Sequence, residues 1–360
     1  MNKTLTSHGG DIYTEGLLKG KELIDYSSNI NLLGVPDSFY EGIKEAINII
    51  NHYPDIQYRA TKEAIIKYHK IPIDNDNIIL GNGAAEVLDL AVSTLRSICI
   101  IAPSFSEYEI SAKKYGLGIE YSYLNNDMTY NYDDILNKLK ISDGIIIANP
   151  NNPNGCNIDK EKFKEILSFC EENGKMIIID EAFVEFSGDK ANSFIDEVIN
   201  YKSLIIIRAI TKYFALPGIR LGWAISSNKE LLSKLREKQL PWNINTFAAV
   251  SLKYLLEDEE YIKKSLNVNT IERDFLVQEL KKLSVINRVY ESNSNFVLCK
   301  LESSTDDELF EFALKKGILI RKCGNYRGLD NSFIRLAVKT RENNETLLDM
   351  LRGFGEIRGV

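Results

Sequence analysis

Lys212 lies in the stretch Ser203–Gly222, which reads Ser-Leu-Ile-Ile-Ile-Arg-Ala-Ile-Thr-Lys-Tyr-Phe-Ala-Leu-Pro-Gly-Ile-Arg-Leu-Gly. Ile210, Tyr213, Phe214, Ala215 and Leu216 crowd it. A lysine among apolar side chains loses solvation of its charge, so its pKa falls and its amine becomes a nucleophile. That is the requirement for a Schiff base with a carbonyl. A single lysine is more often solvated on a surface loop. The apolar flanks, and Arg220 recurring in a turn marked by Pro217 and Gly218, argue against that here.

Further candidates stand where apolar runs end, and ligands of open parallel sheets bind beyond the carboxyl ends of strands. Gly81-Asn82-Gly83 separates a strand-like run from a helical one, with Ala84 and Ala85 opening the helix. Glycine there admits a close backbone approach, and free N–H groups at a helix start suit a phosphate. An ordinary strand–helix turn reads the same way. Asp180 ends the run Lys175–Ile179. It is either a cap or the partner of a protonated ring nitrogen, because a buried carboxylate needs a cation to stay charged. Asn149-Pro-Asn-Asn-Pro-Asn-Gly155 is a turn that could aim Asn152 at a ligand. Phe105, after Pro103-Ser104, could stack on a flat ring or sit in the core. Arg335 and Arg321 lie in apolar strand-like runs, where a guanidinium grips a carboxylate or phosphate, either a ligand's or a structural partner's. Two such arginines suggest a dianionic substrate.

These residues need a scaffold. Short apolar runs at 78–80, 98–102, 119–124, 144–148, 176–179, 204–207 and 221–226 alternate with helical patterns at 84–95, 105–115, 132–139 and 159–173. Asp159 is the expected N-cap of the last of these. Continuous apolar strands between helices predict an α/β fold, a mostly parallel sheet with helices on both faces. Residues 1–36 read as a loop-like arm, 37–240 as the large domain, and 241–360 as a smaller α+β domain. Within the last of these, strand-like runs at 285–289, 296–301, 318–321 and 333–338 accompany helices at 305–315 and from Asn344.

Composition bounds the partners. The 360 residues carry a net charge of −7, which argues against nucleic acid or an anionic membrane. No run approaches a membrane span, and the first residues lack the apolar core of a signal peptide. Five cysteines without a Cys-x-x-Cys pair suit a reducing cytoplasm. Three histidines far apart (His8, His52, His69) make a metal site unexpected.

Taken together, Gly81-Asn-Gly83, Asn149–Gly155, Asp180-Glu-Ala-Phe183, Thr211-Lys212, Arg220-Leu-Gly222 and Phe333-Ile-Arg335 resemble the fold-type-I pyridoxal-phosphate enzymes over nearly the whole chain. His8-Gly-Gly10, Ser28–Gly34, Phe214–Gly222, Pro241–Asn245 and Ile318–Asp330 are similar to the branch that holds histidinol-phosphate aminotransferase and threonine-phosphate decarboxylase, and to the decarboxylases within it. The resemblance implies a seven-stranded sheet and pyridoxal 5'-phosphate as cofactor. Lys212 would form the Schiff base, and Asp180 would pair with the ring nitrogen. Asn152 would meet the ring's phenolic oxygen as well as the substrate, and Phe105 would stack on the ring. Gly83, Ala84, Ala85, Thr211 and Arg220 would hold the cofactor phosphate. Tyr58 would reach the cofactor of a neighbouring subunit, so that a homodimer shares its sites. Arg335 would bind the substrate carboxylate; Arg321, with His8, Gly9 and Asn31, would bind the substrate phosphate. The implied reaction is loss of CO2 from threonine phosphate to give aminopropanol phosphate, a linker piece of cobalamin. Serine phosphate as substrate and transamination remain alternatives. Two positions depart from the broader superfamily: Ala209 where a serine often contacts the phosphate, and Phe183 where a tyrosine often stands.

Overall fold

The computed structural model describes residues 9–359. The arm expected to be loop-like holds two short helical turns, Ile12–Glu15 and Leu17–Lys19, and a strand, β1 (Ile24–Asp25). Asp11 caps the first turn by accepting a hydrogen bond from the Thr14 N–H.

Seven strands form the central sheet: β2 (Ile78–Gly81), β3 (Ser97–Ala102), β4 (Gly118–Tyr123), β5 (Gly144–Ala148), β6 (Met176–Asp180), β7 (Leu204–Ala209) and β8 (Gly222–Ile225). Their spatial order is β2-β8-β7-β6-β5-β3-β4. All pairs are parallel except the two that β8 makes, with β2 and with β7. β5 and β7 are buried along their whole length because helices cover both faces. That is why β5 is an unbroken apolar run and β7 is apolar but for Arg208. Helix Lys160–Glu172 shows how a covering element is built. Asp159 accepts from the Glu161 and Lys162 N–H groups at its start, and Phe163, Ile166, Leu167 and Cys170 bury one stripe.

The second unit is an antiparallel sheet of order β12-β13-β10-β9, with β9 (Ile286–Val289), β10 (Phe296–Leu301), β12 (Arg321–Lys322) and β13 (Phe333–Ala337). The apolar run 318–321 is divided. Its first half, β11 (Ile318–Leu319), pairs in parallel with β1, and Arg321 turns into the four-stranded sheet. The closing helix starts at Arg341 rather than Asn344, capped by Thr340. The expected boundary at 240/241 falls inside the packing of the large unit. Ile244, Ala248, Leu252, Leu255 and Tyr261 share a core with Phe39, Ile65 and Phe214. The small unit's own core, with Leu276, Leu280, Val297, Leu336 and Phe354, draws on helix Glu259–Leu280 and the residues after it, together with Tyr26 from the arm. Among the described residues, no helix is long and apolar enough to cross a membrane.

Candidate active site

Because β3, β5, β6 and β7 run parallel, their carboxyl ends meet at one edge of the sheet. The reversed β8 brings its first residue, Gly222, to the same edge, opposite Gly81. A cavity of about 290 Å³ opens there. Its lining includes Ala84, Ala85, Phe105, Asn152, Asp180, Thr211, Lys212 and Arg220 from the large unit, Arg321 and Arg335 from the small one, and Gly9 from the arm.

Each of these side chains is positioned by local structure. Gly83, at φ +80°, turns the chain into helix Ala84–Val92, whose first N–H groups have no intrahelical partner. A Cβ on Gly83 would stand 2.2 Å from Arg220 Nη2, so glycine is what lets that guanidinium lie on the turn. The loop 149–155 is braced by its own asparagines. Asn149 Nδ2 donates to the Asn192 carbonyl at 2.8 Å, and Asn151 Nδ2 to Asn154 Oδ1 at 2.7 Å and to the Pro103 carbonyl at 3.0 Å. Asn154 Nδ2 donates to the Met128 carbonyl at 2.6 Å. That leaves Asn152 to face the cavity.

Asp180, at the end of β6, accepts from the Tyr108 hydroxyl at 2.7 Å and from the Ala182 N–H at 3.0 Å. Burial raises its pKa, and these two hydrogen bonds oppose the shift. Among the described residues it has no cationic partner, which is the condition a protonated ring nitrogen would meet. The Lys212 amine has no hydrogen-bonding partner there either. Burial lowers its pKa to about 8, and the Arg335 and Arg220 charges act in the same direction.

Among the described residues, Arg335 is buried with no carboxylate bonded to it. Nη2 donates to the Ser27 carbonyl at 2.6 Å, Nη1 to Asn152 Oδ1 at 2.5 Å and to the Tyr326 hydroxyl at 3.4 Å, and Nε is buried and unpartnered. Arg321, also buried, donates from Nη2 to Asn325 Oδ1 at 3.1 Å. The two arginines face each other as register partners on β12 and β13. Like charges directly opposite destabilise a sheet. Arg208 shows the structural alternative. It is fully buried on β7 and donates to Glu181 and Glu185 at 2.9 Å each.

Some expected residues stand elsewhere. His8 lies outside the described residues. Asn31 does not line the cavity; its Nδ2 donates to the Tyr213 carbonyl at 2.6 Å and to Ser265 Oγ at 2.8 Å, and its N–H to the Lys212 carbonyl at 3.1 Å. It therefore holds the backbone that carries Lys212. Asn29 lines the cavity instead, with a buried Oδ1 that has no partner. Tyr58 is buried away from the cavity, its hydroxyl accepting from the Ile244 N–H at 3.0 Å. Three residues escaped the sequence reading: Tyr108, Asn29 and Tyr326. The spacing of Tyr108 three residues after Phe105 on one helix was the available signal for the first. Ala209 and Phe183 both line the cavity, so neither departure is compensated by a hydroxyl at those positions.

The cavity fits pyridoxal phosphate on the chemistry of its donor set. Among the described residues it holds a carboxylate without a cationic partner, an amine without a hydrogen-bonding partner, an aromatic face, and a helix start with an arginine that has no carboxylate partner. Residues 21–351 match the family model for class I and II aminotransferases. A relative from Caldanaerobacter subterraneus subsp. tengcongensis, provisionally named threonine-phosphate decarboxylase, is 41% identical over 354 residues, 97% of this chain and 94% of its own. Threonine-phosphate decarboxylase of Salmonella typhimurium is 31% identical over 354 residues, 96% of each chain. The crystal structure of histidinol-phosphate aminotransferase from Clostridium acetobutylicum superposes with a TM-score of 0.90 at 47% identity, over 93% of this chain and 99% of that one. The chain belongs to the class I and II aminotransferase family, whose cofactor is pyridoxal phosphate.

Proposed function

We propose that the protein decarboxylates L-threonine O-3-phosphate to (R)-1-amino-2-propanol O-phosphate, the linker unit of the cobalamin nucleotide loop. The observation that carries this reading is the pair Arg321–Arg335: two buried guanidinium groups facing each other, with no carboxylate bonded to either among the described residues. A phosphoamino acid presents a carboxylate and a phosphate on neighbouring carbons, one for each arginine. Histidinol phosphate carries only the phosphate, so in a transamination both arginines would be occupied together only by the dicarboxylate co-substrate.

Bound pyridoxal phosphate supplies an electron sink for the pair left when the carboxylate departs. The chain's residues do the rest. Asp180, fixed by Tyr108, holds positive charge on the ring nitrogen. Ala84, Ala85, Thr211 and Arg220 hold the cofactor phosphate, while Phe105 covers the ring and Asn152 meets its oxygen. Arg335 orients the substrate carboxylate, Arg321 grips the substrate phosphate, and Gly9 of the arm lines the cavity beside them. The C–C bond breaks, CO2 leaves, and the alpha carbon takes a proton from the Lys212 amine or from water. The enzyme works as a cytoplasmic homodimer, with Tyr58 serving the partner subunit's site.

Transamination is the second reading, favoured by the 47% identity to the Clostridium structure. Incubation with threonine phosphate, without any oxo acid, separates the two. CO2 release supports decarboxylation, and strict dependence on 2-oxoglutarate overturns it. Serine phosphate belongs in the same assay, since one methyl group is worth only about 1–3 kcal/mol of discrimination.

A further inference from the structure

Three consecutive residues of the small unit, Asn325, Tyr326 and Arg327, each touch a different part of the site or its wall. The Asn325 carboxamide oxygen accepts from Arg321 Nη2 at 3.1 Å. Tyr326 wedges between the two arginines. Arg321 lies over its ring at 5.1 Å, and its hydroxyl donates to Asn152 Oδ1 at 3.3 Å while accepting from Arg335. Arg327 points the other way, to the large unit. It donates from Nε and Nη2 to the two carboxylate oxygens of Glu109 at 3.0 and 2.8 Å, and its guanidinium lies 4.2 Å from the Tyr121 ring centroid.

Glu109 is one residue beyond Tyr108, on helix Ser106–Lys114 that Phe105 begins. The same helix therefore carries the ring-covering residue, the tyrosine that fixes Asp180, and the anchor for the small unit's loop. The ion pair has the two-point geometry that distinguishes a specific contact from a solvated one. Arg327 pulls the Glu109 carboxyl down to about 2, with Lys113 adding to the effect. Gly328 continues the contact, lying against the Tyr123 ring.

We infer that the Arg327–Glu109 pair is a positioning latch. It holds Tyr326 between Arg321 and Arg335 and so sets the spacing of the phosphate and carboxylate grips for a short phosphoamino acid. The inference rests on the substrate reading above. Neither latch residue touches substrate or cofactor; the pair acts through Tyr326 and Asn325.

The test uses the holoenzyme and reads two constants: the pyridoxal phosphate dissociation constant, and the threonine phosphate concentration that half-saturates the change in the bound cofactor's visible absorption. R327Q is expected to raise the second constant roughly fivefold, the combined worth of a partly exposed ion pair and a cation–π contact, and E109Q, which keeps Arg327 over the Tyr121 ring, roughly threefold. Cofactor binding stays within about twofold of the parent. The double variant R327Q/E109Q is expected to match R327Q, because the ion pair is already lost there and coupled partners are not additive. Additive losses, or single variants within twofold of the parent, overturn the latch. A parent protein that gives no absorption change with threonine phosphate overturns the substrate reading, and the latch with it. A responding parent with unaffected variants overturns the latch alone.

Discussion

A buried cation without a carboxylate costs stability, and this chain separates its cations by that criterion. Arg208 is sealed in β7 with Glu181 and Glu185 and is structural. Lys212, Arg220, Arg321 and Arg335 line one cavity and have no such partner among the described residues. The cost at Lys212 has a pH signature. Its pKa is lowered to about 8 by burial, with Arg335 and Arg220 adding to the shift. Below about pH 8 the folded chain carries the proton at a penalty. As the pH rises from there toward the ordinary lysine range, the folded chain has lost the proton and the penalty fades. Cofactor-free Lys212→Met is therefore expected to be more stable than the parent at pH 7 in denaturant titration, with the gap narrowing toward pH 10. A gap independent of pH contradicts this account. Lys212, Asp180 and Arg335 were legible in the sequence because each residue type conflicts with its apolar neighbours. Tyr108, Asn29 and Tyr326 were not. A tyrosine on a helix reads as core, an asparagine in a turn reads as a turn-former, and nothing local says where a hydroxyl points.

Elements decide whether those side chains converge. β8 runs against its neighbours, which brings Gly222 and the Arg220 that precedes it to the edge where Asp180 and Lys212 lie. Strand direction is absent from an apolar run, so the sequence supported "mostly parallel" and no more. Gly83 is the element-scale test. Alanine there would need φ +80° and would push on Arg220 from 2.2 Å. Gly83→Ala is expected to cost about 1 kcal/mol or more of stability from the backbone alone. It should also weaken pyridoxal phosphate binding at least tenfold, read by equilibrium dialysis against the parent. Unchanged affinity would remove Arg220 from the phosphate site. Helix Thr246–Glu257 marks the limit of legibility at this scale. Its packing against Asp37–Ile47, some two hundred residues earlier, is a long-range choice that periodicity does not encode.

At the scale of the molecule, the cavity draws on the arm, the large unit and the small unit, and Tyr58 sits outside it. Around Tyr58 the surface exposes Tyr53, Ile56, Leu240 and Trp242, with the Tyr53 and Trp242 rings 4.6 Å apart. Such an apolar patch fits a subunit interface. Trp242→Asp is expected to shift the protein toward monomer in sedimentation velocity and to lower its affinity for pyridoxal phosphate. A variant that remains dimeric with parental affinity would place the interface elsewhere. No single chain reports its partner, which is why this feature could be read from sequence only through resemblance.

In the proposed reaction Arg321 and Arg335 hold a phosphoamino acid so that its carboxylate is the group lost. The most direct test is to supply carboxyl-labelled L-threonine O-3-phosphate to the pyridoxal-phosphate-loaded protein with no oxo acid present, and to collect the released gas. Label is expected in CO2 over many turnovers, with aminopropanol phosphate formed in equal amount. Label retained in the amino acid, with turnover only when 2-oxoglutarate is added, would contradict it.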